Sequence, residues 1–221
     1  MSPSIMHLTF RRITSMRHID TRTHFVNTLS MGEEKKARVL EAAESVFLRF
    51  GFRRTTMGDL AAAAGISRPA LYLLFCRKEE VFEGVLRAYT ARTLEELRQG
   101  LGARPTPLEK LRFAFELWAV RPFGFFEASP ELREPIHGGL AFAKGALDEA
   151  VAAFEVELAA ILAPLHAAAP ARALPPDQIA RVLTRAVHGF KESARDADEL
   201  RTMIDGLLEM VLASLRPPAG A

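Results

Sequence analysis

The chain has 221 residues, of which 49% are apolar and 25% charged, with a net charge of +2 and a single cysteine, Cys76. This composition excludes a disordered chain, and one cysteine excludes an internal disulfide framework and favours a reducing compartment. No apolar run reaches the roughly 18 residues of a membrane span, and no signal-peptide pattern is evident, so we expect a cytoplasmic protein without a membrane partner. Abundant alanine, leucine, arginine and glutamate, with few β-branched residues, predict an all-α fold.

The charge is distributed unevenly. Residues 1–32 carry four arginines against one aspartate, residues 33–80 carry nine basic against seven acidic residues, and the remainder carries sixteen basic against nineteen acidic. The basic front half suits an anionic partner.

Residues 1–32 show no sustained apolar period. They are either a flexible basic arm, or the start has been placed too early and the natural chain begins near Met31. We favour the second alternative because a helix is predicted directly after this point. EEKKARVLEAAESVFLRFG, residues 33–51, has an apolar stripe at helical spacing and ends on Gly51, a typical helix C-cap.

Two short helices follow, separated by a glycine. Thr56 is a typical N-cap and forms a capping box with Asp59, and this helix ends at Gly65. Ser67 caps the next helix, which has Pro69 in its first turn. Two short helices joined by a glycine turn, packed on a longer helix, make a helix-turn-helix, and the turn requires Gly65 at positive φ.

The remaining chain is predicted to be helical. A long helix covers 78–101, an apolar helix covers 106–120, and residues 121–130 form a loop or kink. One or two helices occupy 131–168 and a linker occupies 167–176. A final helix pair covers 177–194 and 197–215.

The run GFRRTTMGDLAAAAGISRPALYLLFCRKEEVF, residues 51–82, resembles the DNA-binding domain of tetracycline-repressor-type (TetR/AcrR) regulators. The similarity rests on six features: Gly51-Phe52, the Thr56 cap, the small-residue helix ending at Gly65, Leu71-Tyr72, Phe75 and Lys78-Glu79. It implies a helix-turn-helix DNA-binding domain over 33–80 and a helical effector-binding and dimerisation domain over 81–221.

The resemblance also implies a role for each position. Thr56, Tyr72 and Lys78 would contact phosphates, with further phosphate contacts from Arg53, Arg54 and Arg77. Side chains of the second short helix would face the groove: Ser67, Arg68, Ala70, Leu73 and Leu74. The chemistry of Arg68 supports this role, because a guanidinium can bind guanine O6 and N7 in bidentate fashion. The alternative for Leu73 is that it packs inside.

In this family the last two long helices usually form a homodimer. The interface residues implied here are Val182, Ala186, Ile204, Leu208 and Val211; the alternative is that these helices only close the chain's own core. An aromatic group in the middle of the domain suggests a small apolar or aromatic effector, although such a group can also be plain core. The candidate effector-binding residues are Trp118, Phe125, Phe126, His137 and Phe142.

The function predicted is that of a ligand-responsive repressor that binds a palindromic operator as a homodimer, without a cofactor. One alternative is an interaction protein whose helix-turn-helix is only structural. Another is a small helical enzyme using Glu116, Glu127 or His137, although no nucleophile–base pairing, phosphate loop or metal-ligand spacing supports it.

Overall fold

The computed structural model describes residues 21–127, 141–167, 169–170 and 173–216, and the side chains of the first range from residue 32 to residue 124. All regular structure in these residues is helical, which confirms the predicted fold class. The α-helices are α1 (Thr21–Arg54), α2 (Met57–Ala63), α3 (Arg68–Tyr72), α4 (Lys78–Leu101), α5 (Pro107–Phe115), α6 (Arg121–Glu127), α7 (Lys144–His166), α8 (Pro176–Ser193) and α9 (Ala197–Ser214). A π-helical segment, Glu116–Val120, joins α5 to α6, and a 3₁₀ turn, Ala141–Ala143, precedes α7.

The chain divides into two compact units, residues 1–38 and residues 39–221. In the first unit, α1 begins at Thr21, so the predicted helix start at residue 33 is wrong. Apolar periodicity indicates which face of a helix is buried, so a helical segment without that pattern is not predicted from it. Residues 1–20 lie outside the described residues.

In the second unit, a first core joins α2 and α3 to their longer neighbours. Val39 and Ala43 of α1, Leu60 of α2, Leu71 of α3 and Val81 of α4 are each at most 1% exposed. Helices as short as α2 and α3 are marginal alone in water, so burial of these side chains is what stabilises them.

A second core is built from the later helices. Phe115 of α5 packs edge to face on Phe154 of α7, with ring centroids 5.5 Å apart. Leu183 of α8 and Leu208 of α9 are fully buried in the same core. Helix α4 contributes its first turns to the first core and Leu97 to the second, so it is the element that both cores share.

The helix predicted to end at residue 120 continues to Glu127 through the π-helical segment. A loop over 121–127 is therefore wrong, and residues 128–130 lie outside the described residues. Pro122 suggested the break, because proline lacks the N–H that an α-helix needs at an interior position. The wider π turn lies directly before Pro122, at the point where the regular α-helical bonding changes.

No helix in the described ranges is both long enough and apolar enough to cross a membrane.

Candidate nucleic-acid interface

The helix-turn-helix is fixed by local interactions that its sequence specifies. Gly65 has φ 65°, the left-handed conformation predicted for the turn. The Ser67 hydroxyl accepts a hydrogen bond from the backbone N–H of Ala70 at 3.3 Å, which caps α3 as expected. These two residues set the direction in which α3 leaves the turn.

Thr56 caps α2 through the predicted capping box. Its hydroxyl donates to Asp59 Oδ2 at 2.7 Å, its backbone N–H donates to the same oxygen at 2.8 Å, and the Asp59 N–H donates back to Thr56 Oγ1 at 3.2 Å. The hydrogen bonds from Thr56 lower the pKa of the Asp59 carboxyl. Both Thr56 donors therefore already have an acceptor within the chain, and a phosphate contact would have to compete with Asp59.

Lys78 joins the start of α4 to the end of α1. Its ammonium donates to the carbonyl oxygens of Phe52 and Thr55, both at 2.8 Å, and more distantly to that of Arg53 at 3.5 Å. The same ammonium lies 4.3 Å from the centroid of the Phe52 ring. An ammonium has three protons, so these acceptors use its donor capacity, and the structure gives Lys78 a positioning role.

The two leucines at the end of α3 have different environments. Leu73 is 88% exposed, so the alternative that it packs inside is wrong. Leu74 is partly buried and packs against the first core, which corrects the prediction that it faces the groove. The reason is helical geometry, because Leu74 lies close to one turn from the fully buried Leu71. Tyr72 is 44% exposed and remains available for a contact.

Three arginines around α3 carry positive charge to the surface. Arg53, Arg54 and Arg68 are exposed, and none of them has an acidic partner within ion-pair distance in the described part of the chain. Arg77 is also exposed but lies 3.5 Å from Glu80. Exposed guanidinium groups of this kind can attract phosphate without a competing internal acid.

Phe142 lies against the helix-turn-helix, and not with the aromatic residues of the second core. Its ring centroid is 4.8 Å from that of Phe52 and 5.9 Å from that of Phe82. The prediction that Phe142 clusters with Trp118 is therefore wrong, because the 3₁₀ turn that carries Phe142 packs on α1 and α4. Trp118 instead stacks on Phe154 at 4.4 Å within the second core.

The other aromatic candidates are not described. The side chains of Phe125 and Phe126, and the whole of His137, lie outside the described residues. A cleft of about 330 Å³ does lie between α4 and α7, and none of the predicted effector residues lines it. Its walls are mainly small or apolar, among them Ala91, Leu94 and Ala150.

Two ion pairs cross between α4 and α7 beside this cleft. Arg87 donates to Glu149 at 2.9 Å, and Arg98 donates to Glu157 at 2.6 Å. The bond to Glu149 raises the pKa of the Arg87 guanidinium. Sequence reasoning missed this cleft, because its lining comes from two helices about 60 residues apart and no local pattern marks it.

The predicted dimer residues fall into two groups. Ile204 and Leu208 are at most 2% exposed in the chain's own core, so their assignment to an interface is corrected. Val182 is 49% exposed, and Ala186 and Val211 are partly exposed. For Ile204 and Leu208 the alternative is confirmed, because both side chains pack in the core of their own chain.

This arrangement, a capped helix-turn-helix followed by a helical domain that shares α4 with it, defines a class of two-domain all-α DNA-binding regulators. Residues 39–85 match the family model of bacterial regulatory proteins, tetR family. These residues match the DNA-binding domain of that family, as the sequence predicted. The family is one of regulators, so it gives the enzyme hypothesis no support.

Similar proteins agree with this assignment. The chain is 32% identical over 95 residues to the transcriptional activator FasR of Mycolicibacterium smegmatis, which covers 43% of this chain and 42% of that protein. It is 39% identical over 59 residues to the transcriptional regulator TtgR of Pseudomonas putida, covering 27% and 28% of the two chains. The matches thus span well under half the length of these relatives.

A solved structure of similar fold is Thermus thermophilus FadR, a TetR-family repressor in complex with lauroyl-CoA. It has a TM-score of 0.58 and 24% identity, and the alignment covers 84% of this chain and 99% of that one. At this identity the likeness shows the fold of the aligned part and nothing finer.

Proposed function

We propose that this protein is a ligand-responsive transcriptional repressor that acts in the cytoplasm and binds a palindromic operator as a homodimer. The observation that carries the proposal is the short, capped helix α3, which follows Gly65 and presents Arg68, Tyr72 and Leu73 to solvent. A helix held in this way can enter the major groove while its neighbours contact the backbone.

The contacts divide by chemistry. Arg68, at the first position of α3, would read a guanine, since its guanidinium has no internal acid to compete with the base among the described residues. Ser67 and Ala70 would line the groove beside it. Tyr72, Arg53 and Arg54 would contact phosphates, and these contacts make the affinity depend on salt. Lys78 and Thr56 would act mainly by holding the ends of α4 and α2 in place.

The dimer would form across the outer faces of α8 and α9. Val182 and Met210 are 49% and 67% exposed on these two helices, and Ala186 and Val211 would extend the contact. Two-fold related copies place two reading helices on successive major grooves, which a palindromic operator requires.

The effector would enter the cleft between α4 and α7. The FadR structure from Thermus thermophilus contains lauroyl-CoA, and that from Bacillus subtilis contains stearoyl-CoA. The small apolar walls here suit a narrow apolar chain, and Arg87 or Arg98 could pair with an anionic head group in place of its present glutamate. We therefore propose an acyl thioester or another elongated apolar acid as the effector class.

Release from DNA would follow from the position of α4. A ligand that separates α4 from α7 acts on the helix whose first residue, Lys78, is bonded to the end of α1. Movement of α4 would thereby change the spacing of the two α3 helices in a dimer and shift the population away from the DNA-bound state.

The DNA-binding assignment is tested by Arg68→Ala, with Arg216→Ala as an exposed arginine control two residues after the end of α9. We expect Arg68→Ala to weaken operator binding roughly tenfold or more and random-DNA binding much less, as loss of a base contact does. Equal loss for both DNAs would instead assign Arg68 to the phosphate backbone.

The effector assignment is tested by titrating dodecanoyl-CoA into the protein–operator complex. Ala150→Leu fills the cleft, so it should reduce the response to this ligand while leaving operator affinity unchanged. Release of DNA by dodecanoyl-CoA to the same extent from Ala150→Leu would place the ligand elsewhere.

A further inference from the structure

The outermost part of α3 is apolar. Successive residues of an α-helix are about 100° apart, so Leu73 lies about 200° around the helix from Leu71. Leu71 is fully buried and Leu73 is 88% exposed, which fits this geometry. Pro69 is two residues before Leu71, so it lies on the same outer side, and it is also exposed. The side chains on the face of α3 farthest from the protein core are therefore apolar.

The polar side chains of α3 flank this apolar surface. Tyr72 is about 100° from both Leu71 and Leu73, and Arg68 is at the first position of the helix. The Ser67 hydroxyl is engaged as the α3 cap. The surface made of Pro69 and Leu73 thus offers no hydrogen bond to a base edge, whereas Arg68 does.

A groove offers one apolar group at a base edge that such a surface can recognise. In the major groove, thymine presents its C5-methyl group, and the other groups at the base edges are hydrogen-bond donors and acceptors. Leu73 is almost fully exposed, so its side chain contributes almost no free energy of burial in the free protein. That free energy is therefore available when the side chain is buried on binding.

We infer that Leu73, supported by Pro69, reads the C5-methyl group of a thymine in each operator half-site, and that it is a specificity-determining residue. The inference rests on the proposed operator binding and adds which chemical group is read. Leu74 takes no part, because it packs against the first core. Sequence discrimination would then combine one guanine contact by Arg68 with one methyl contact by Leu73.

The test uses uracil, which keeps every hydrogen-bonding group of thymine and lacks only the methyl group. An operator is first located by footprinting the DNA upstream of the protein's own gene. Each thymine in the footprint is then replaced in turn by uracil, and the affinity of the wild-type protein is measured. Loss of one buried methyl group should lower the affinity about fourfold when the thymine of one half-site is replaced. It should lower the affinity about 15-fold when the thymines of both half-sites are replaced.

Leu73→Ala identifies the side chain responsible. This variant should bind the thymine operator more weakly than wild type, and it should no longer distinguish thymine from uracil at the sensitive position. Arg68→Ala should weaken binding but keep the thymine preference. Leu174→Ala is the matched control, since Leu174 is 50% exposed in the segment before α8, and it should behave as wild type.

The inference is overturned if wild type tolerates uracil at every position while still preferring its operator, or if Leu73→Ala keeps the wild-type thymine preference. In both cases the proposed regulator function stands, because specific binding is still observed. Absence of any preference for operator over random DNA would overturn the proposed function, and this inference with it.

Discussion

Lys78 shows how a single side chain can hold the helix-turn-helix in position through contacts within the chain. Its ammonium donates hydrogen bonds to the carbonyl oxygens of Phe52 and Thr55, which lie at the end of α1 and precede Lys78 by 26 and 23 positions in the chain. The ammonium also lies over the Phe52 ring. Hydrogen bonds to a charged group and a cation–π contact are each among the stronger polar interactions in proteins. Lys78 therefore holds α4 and the end of α1 together around α2 and α3.

Replacing Lys78 by methionine keeps the length of the side chain and removes its donors. We expect Lys78→Met to lower the free energy of unfolding by about 2 kcal/mol, measured by urea denaturation. Lys110→Met is the control, since Lys110 is partly exposed on α5 and no ion pair reaches it within the described ranges. Equal effects of the two substitutions would contradict the positioning role.

The capping box at Thr56 predicts an acid-dependent contribution to stability. Hydrogen bonds from Thr56 lower the pKa of Asp59 in the folded state. This contribution is complete above the unfolded pKa of the carboxyl and disappears as the pH falls through its folded pKa. Thr56→Ala should cost about 1 kcal/mol at neutral pH and flatten the loss of stability in acid.

Stability of wild type and Thr56→Ala would be compared by urea denaturation from neutral to acidic pH. Thr106 forms the same box with Glu109 at the start of α5, so Thr106→Ala is a matched control outside the helix-turn-helix. Both variants should lose stability, and only Thr56→Ala should weaken DNA binding. An acid dependence of Thr56→Ala as steep as that of wild type would contradict this explanation.

The sequence predicted correctly those caps and turns that depend on residues close by in the chain. Thr56, Gly65 and Ser67 act through residues at most three positions away, and their caps and turn are as predicted. Lys78 and Phe142 make contacts with residues 23 to 90 positions away in sequence. No local pattern specifies such partners, so neither contact could be predicted from the sequence.

At the scale of elements, the turn between α2 and α3 depends on the conformation of Gly65. A Cβ added there would meet no atom within 4 Å, so the cost of Gly65→Ala is that of a left-handed backbone alone. We expect it to lower stability by about 1 kcal/mol and to weaken operator binding, because α3 would be redirected. Thermal unfolding and DNA titration of the same samples would measure both effects.

Gly145 provides the opposite case for comparison. It lies in the first turn of α7, also with open space around a Cβ, but without a positive φ. Gly145→Ala should therefore stabilise the protein slightly, by roughly 0.5 kcal/mol. A stabilising effect at Gly65 would contradict the strained turn inferred here.

Three of the long helices have boundaries close to those predicted. Helix α4 has the predicted bounds, and α8 and α9 differ from them by one residue. The prediction was wrong where a π-helical segment carries the chain past Pro122 and where α1 extends back to Thr21. Neither feature has a cap or a periodic pattern at its end, which is why the sequence did not reveal them.

At the scale of the whole molecule, binding to a palindromic operator as proposed requires two copies of the chain. Glutamate in place of Val182 or Met210, which are exposed on α8 and α9, would bury a charge in the proposed interface. We expect Val182→Glu and Met210→Glu to sediment as monomers and to lose most operator affinity. Leu147→Glu, at an exposed leucine on α7, should remain dimeric. Unchanged sedimentation of all three variants would place the interface elsewhere.

Fluorescence anisotropy of DNA binding across a salt series tests operator recognition by this protein most directly. It compares the DNA upstream of the protein's own gene with random DNA of equal length. We expect a preference for the upstream DNA of roughly 10³-fold or more, with a linear fall of log affinity against log salt whose slope counts the phosphate contacts. Equal binding to both DNAs at every salt concentration, or no binding to either, would contradict it and favour an interaction protein with a structural helix-turn-helix.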